Sequence, residues 1–139
     1  MKLVGFNFKK IKAEKFSNSF TDLKVNVKID ILKIEPLKTG FFNSKGDLLE
    51  IEFDWFLDYG GDIAKLEIGG KFVLELDSKI SKEVLNQWKD KKLPEDFRLS
   101  TYNLILRKAN LKALQLEEEL NLPIHIQLPS LKAPIEQKE

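Results

Sequence analysis

Leu23, Val25, Val27, Ile29 and Ile31 alternate with Lys24, Asn26, Lys28 and Asp30. A period of two puts every apolar side chain on one face of an extended chain, so this run predicts a half-buried β-strand. The pattern recurs three times. Val4, Phe6 and Phe8 alternate with Gly5, Asn7 and Lys9, then fade through Ile11 and Ala13. Leu49, Ile51, Phe53, Trp55, Leu57 and Tyr59 oppose Glu50, Glu52, Asp54 and Asp58, with Phe56 breaking the polar face. Ala64, Leu66, Ile68, Phe72, Leu74 and Leu76 share the phase of a fourth strand. Leu32 and Ile34 switch the phase of the second run, which predicts a bulge, and Pro36 ends it. Gly60-Gly61-Asp62 reads as a hairpin turn, and Gly69-Gly70 as a bulge or a close backbone approach.

Four strands with one apolar face each need a covering layer. Asp77-Ser78 caps a predicted short helix from Lys79 to Lys91, with an apolar stripe of Val84, Leu85 and Trp88. A long helix follows from about Pro94 to Leu120. Proline suits its first turn, and Glu95 and Asp96 suit the positive end of its dipole. Phe97, Thr101, Ile105, Ala109, Ala113, Leu116 and Leu120 define one face. Leu104, Leu111 and Leu114 define a second, which packing on a single sheet does not require. The second stripe is the expected contact with another subunit. Glu117-Glu118-Glu119 sits at the wrong end for the dipole, so that end is expected to take a partner or to fray. An apolar tail then runs through Leu122, Ile124, Ile126, Leu128 and Leu131, punctuated by Pro123 and Pro129. It reads as an extended strap in which proline limits further strand pairing.

The expected fold is α+β in a single domain, 1–139. Three hairpin-linked strands, preceded by one with a longer connection, make a four-stranded antiparallel Greek-key sheet, the first strand returning beside the fourth. The helices and the Pro-containing tail lie on one face.

Composition removes several functions. The 139 residues carry 23 basic and 22 acidic side chains, a net charge of +1, so the chain lacks the basic bias of a nucleic-acid binder. Its only arginines are Arg98 and Arg107, although bidentate readout prefers arginine. Cysteine is absent, which excludes disulfides, thiolate chemistry and Cys-ligated zinc. No window has the length and apolarity of a membrane span, and the N-terminus lacks the apolar core of a secretory signal. The expected location is the cytoplasm.

His125 is the only histidine and has no carboxylate cluster beside it in the sequence, so a packed or solvent-facing imidazole is expected rather than a metal ligand. There is no G-x-S-x-G elbow and no phosphate-binding glycine loop. Glu50, Glu52, Asp54 and Asp58, flanked by lysines, read as a solvated outer face rather than a catalytic pair. The chain is therefore expected to be no enzyme and to need no cofactor or metal.

Aromatic side chains in the connections are the remaining signal. Phe16 and Phe20 lie in the first, Phe41 and Phe42 in the second. They are either lids on a small core or parts of a binding surface. With Leu122, Ile124, Ile126, Leu128 and Leu131 they outline a groove for apolar chain. Two further readings stand beside this one: a small-molecule binder using the sheet–helix cleft, and a structural oligomeric adaptor.

The whole arrangement resembles the SecB export-chaperone family, most of all its divergent SecB-like members. Phe6-Asn7-Phe8-Lys9-Lys10-Ile11 is similar to the family's first strand, and Glu14 to Asp22 stands where its crossover lies. Asn121-Leu122-Pro123-Ile124-His125-Ile126-Gln127-Leu128-Pro129 resembles the family's x-F-P-x-L-N-L-x-P segment after the long helix. The resemblance implies an ATP-independent holdase for unfolded polypeptide clients, in export or in toxin–antitoxin control, assembled as a dimer or a tetramer. The chain departs from it in charge, since export SecB meets the SecA motor with an acidic sheet face. The helix at 79–91 also looks like an insertion.

Overall fold

The computed structural model describes residues 1–37, 46–60 and 62–131. Strands β1 (Lys2–Lys15), β2 (Asn26–Pro36), β3 (Asp47–Asp58) and β4 (Ala64–Leu76) are followed by helices α1 (Ser78–Trp88) and α2 (Glu95–Leu120). The strands form one antiparallel sheet in the order β1-β4-β3-β2. This is the expected Greek key, with the first strand beside the fourth. Phe41 and Phe42 lie outside the described residues.

The core sits between the sheet and the helices. Ile51, Phe53, Trp55 and Leu57 of β3 are buried, as are Leu66, Ile68, Phe72 and Leu74 of β4. From α2, Phe97, Thr101, Ile105, Ala109 and Ala113 are buried. The opposite face of the sheet carries ion pairs, as its alternation predicted. Lys9 meets Glu52 at 2.9 Å, Lys10 meets Asp54 at 3.5 Å, and Lys71 meets Glu50 at 3.7 Å. Lys10 also pairs with Glu67, and that hydrogen bond holds the lysine above its ordinary pKa. Lys9 holds the Glu52 carboxyl below the usual range. Such exposed pairs add little stability each.

Two bulges explain why the first strand faded in the sequence. In β1 the register shifts between Leu3 and Gly5 and again between Phe8 and Lys10. Each extra residue inverts the parity of the strand. The residues paired with the core positions of β4 are therefore Leu3, Phe6, Phe8, Ile11 and Ala13. Val4 sits in a bulge instead of on the core face. In β2 the shift falls between Ile31 and Lys33, the expected phase switch, and it returns Ile34 to the core. Gly69-Gly70 is a close backbone approach, and the bulge beside it belongs to β1. A Cβ on Gly70 would lie 2.7 Å from the Asn7 carbonyl oxygen and 3.0 Å from the Phe53 ring.

α2 ends in a left-handed cap, whereas the cap of α1, Lys89, is right-handed and a left-handed residue follows it two positions on. At α1, Lys91 takes φ 59°, Lys91 N donates to Trp88 O at 2.9 Å and Lys92 N donates to Gln87 O at 3.0 Å. At α2, Asn121 takes φ 55°, and Leu122 N donates to Glu117 O at 2.8 Å. These are Schellman bonds. No basic residue lies in the last turn of α2, but Lys15 reaches across from β1 and its Nζ donates to Leu120 O at 2.7 Å. That cation answers the negative end of the dipole.

Candidate functional site

The first crossover and the tail meet on the hairpin between β3 and β4. Phe16 N and Ser17 N both donate to Ile63 O, at 2.8 and 3.3 Å, and Lys24 N donates to Tyr59 O at 3.2 Å. On the helix side, the single proton of the Tyr59 hydroxyl is shared between two acceptors, Pro123 O at 2.7 Å and the Glu117 carboxylate. Burial, reinforced by the Glu117 carboxylate, pushes the Tyr59 phenol above its ordinary pKa. One tyrosine thus ties together the sheet, the crossover, the helix and the tail.

The tie continues through the only histidine. Glu117 is fully buried. His125 Nδ1 lies 2.9 and 3.0 Å from its two carboxylate oxygens. His125 Nε2 lies 2.8 Å from Asn110 Oδ1. The indole of Trp55 meets the imidazole edge-on, with ring centroids 5.7 Å apart. Both ring nitrogens thus have a side-chain partner within hydrogen-bond distance. The imidazole is packed, one of the two outcomes expected from the sequence, and its carboxylate partner stands eight residues back, on the helix.

Of the two outcomes expected at Glu117-Glu118-Glu119, a partner or fraying, the structure shows partners from the same chain: Tyr59 and His125 at Glu117, and Lys15 at Leu120 O. Glu117 is the last residue of the buried row Phe97, Thr101, Ile105, Ala109 and Ala113, each four residues apart, whereas Leu116 and Leu120 flank that row half-buried. Extending the i, i+4 spacing by one step would have found a carboxylate on the core face. Its only compatible occupant there is a group that hydrogen-bonds it, and a buried charge without such partners is rare.

The network fixes the path of the tail and leaves its apolar side chains partly outside. Leu122 is buried in the core, and His125 and Ile126 are largely covered. Ile124 is 43% exposed, Leu128 47%, and Leu131 fully exposed. Phe16 is 52% exposed, whereas Phe20 packs against the core. Of the groove residues expected from sequence, Leu122 belongs to the core, Phe20 packs against it, and Phe16, Ile124, Leu128 and Leu131 present apolar surface. Along α2, Leu111 is exposed, Leu104 leans on the core and Leu114 is half-buried.

Among the described residues, no group of three or more His, Asp or Glu side chains is placed to hold a metal ion. Among them, too, no helix is long and apolar enough to cross a membrane.

No family model and no curated protein matches the chain. Its fold is similar to that of a SecB-like chaperone of Mycobacterium tuberculosis, solved in complex with a ChAD peptide from the HigA1 antitoxin. The two share 13% identity at a TM-score of 0.49, over 96% of this chain and 92% of that one.

Proposed function

We propose that the protein is an ATP-independent chaperone that holds unfolded or apolar polypeptide segments on the surface formed by the tail and the crossover. The observation that carries this reading is the exposure of Ile124, Leu128 and Leu131 on a strap whose first half is pinned by buried hydrogen bonds. Apolar side chains presented from a fixed backbone lose little entropy on binding, and contiguous exposed apolar surface marks interaction sites. Phe16 adds an aromatic anchor from the crossover. Burying such area contributes about 25 cal/mol per Å² before ordering costs, which suits weak, general binding of chain rather than recognition of one ligand.

The test is light scattering from an aggregating client, without nucleotide. Stoichiometric protein should suppress aggregation, and Ile124→Ser with Leu128→Ser should weaken the suppression several-fold while stability stays within about 0.5 kcal/mol. Wild-type protein that protects none of several clients would remove the reading. We also propose that copies associate through α2, with Leu111 at the contact and Leu104 and Leu114 beside it. Sedimentation showing only a monomer at micromolar concentration would contradict this.

A further inference from the structure

Helix α1 builds a second concavity, away from the crossover. Together with β2 and the first turns of α2 it encloses a cleft of about 590 Å³. Ligand sites commonly fall between about 300 and 1,000 Å³. Ile29 and Ile31, which share a face of β2, form its floor. Trp88 at the end of α1 and Tyr102 on α2 are among its walls, with Leu93 between the helices.

Three cations line this cleft beside its apolar side chains. Lys91 Nζ lies 4.4 Å from the Trp88 ring centroid, and Arg98 Cζ lies 5.9 Å from that of Tyr102. Lys92 is the third. Among the described residues, none of the three has a carboxylate within ion-pair distance. Asp30 also borders the cleft, but strand alternation sends its side chain to the opposite face, where it pairs with Lys28 at 3.5 Å. In a chain of net charge +1, a wall with three unopposed cations is a local excess.

The floor adds a directional feature. β2 is a sheet edge, hydrogen-bonded on one side to β3. Backbone groups of 29–31 that face away from β3 have no partner among the described residues. An open edge is a template for one more strand.

We propose that this cleft docks an extended segment of a partner protein, laid along β2, with an apolar side chain between Trp88 and Tyr102 and carboxylates against Lys91, Lys92 and Arg98. The inference rests on the polypeptide-binding reading for its class of ligand, and it adds a site that uses neither the tail nor the crossover. Unlike the apolar strap, this site selects by charge.

The test uses a fluorescent peptide of about ten residues, the length of an ordinary strand, with alternating Val and Thr, one Phe and three Glu. A twin carries Gln in place of Glu. The Glu peptide should bind the full-length protein about tenfold more tightly than its twin at low salt, and lose that advantage as salt rises. Lys92→Gln with Arg98→Gln should abolish the difference. Lys91→Gly should weaken the Glu peptide yet melt no lower than wild type, because glycine relieves the left-handed backbone there. Ile124→Ser with Leu128→Ser should leave the advantage of the Glu peptide over its twin unchanged.

Equal binding of the two peptides, or no binding, overturns the inference. Loss of that advantage in the tail variant instead places the peptide on the strap. Displacement by equimolar hydrocinnamate makes the cleft a small-molecule site, and a dimer that dissociates in the Lys92/Arg98 variant makes it a contact between copies. Each of these also overturns the inference. Client protection in the scattering assay is read separately on the same variants, so failure of the cleft and failure of the chaperone reading are distinguishable.

Discussion

Glu117→Ala should destabilise the protein by about 3–5 kcal/mol, because it removes a buried hydrogen-bonding group, leaves its partners unsatisfied and opens a cavity. The carboxylate is fully buried and accepts from both Tyr59 and His125. Its loss leaves a cavity and a covered imidazole that faces no acceptor on its Nδ1 side. Glu117→Gln keeps the shape and one carbonyl acceptor, so it should cost clearly less. The change also has a local consequence. His125 and Pro123 are the points at which the tail is held, so the tail of the alanine variant should loosen before the sheet does. Denaturant unfolding reads the stability. Limited proteolysis between 124 and 131 reads the release, and should quicken well beyond the change expected from global unfolding. An alanine variant as stable as wild type, with an equally protected tail, would show that the network is not what holds the strap.

The sheet was legible because its physics is local. A strand with one buried face writes that face into every second residue, and β3 and β4 follow the rule along their whole length. The bulge in β2 was legible for the same reason, since a phase switch is itself a local signal. The first strand was less so. Its two bulges invert parity at positions that only the pairing with β4 defines, and a run such as Lys9-Lys10-Ile11-Lys12 then looks like fading alternation. The network under the tail was hidden for a different reason. Asn110, Glu117 and His125 are close in sequence, yet what makes them partners is the reversal of the chain at Asn121, which folds the tail back along the helix. The unpaired cations around the cleft were hidden in the same way, because charge excess is spatial and the composition is balanced.

Phe53→Ala should also cost about 3–5 kcal/mol, the usual loss for a core aromatic, whereas Phe16→Ser should stay within about 0.5 kcal/mol. Phe53 is completely buried and shares a cluster with Phe6 and Phe72, its ring centroid lying 5.8 and 5.9 Å from theirs. Its removal opens a cavity where β1, β3 and β4 meet. Relaxation there is limited, because the backbone of β1 already presses on Gly70. Phe16 exposes half of its surface and should be felt in client binding instead. The sequence alone treated Phe16 and Phe20 as equivalent groove residues, and the structure separates them: Phe20 packs on the core, so Phe20→Ser should fall between the extremes, at about 1–2 kcal/mol for a partly buried aromatic. Denaturant midpoints for the three variants, set beside their aggregation-suppression curves, give the decisive contrast. If Phe16→Ser unfolds as readily as Phe53→Ala, the crossover is part of the core and the client surface is confined to the tail. If it stays stable and still protects clients fully, the crossover contributes nothing to binding, and Ile124, Leu128 and Leu131 must account for all of it.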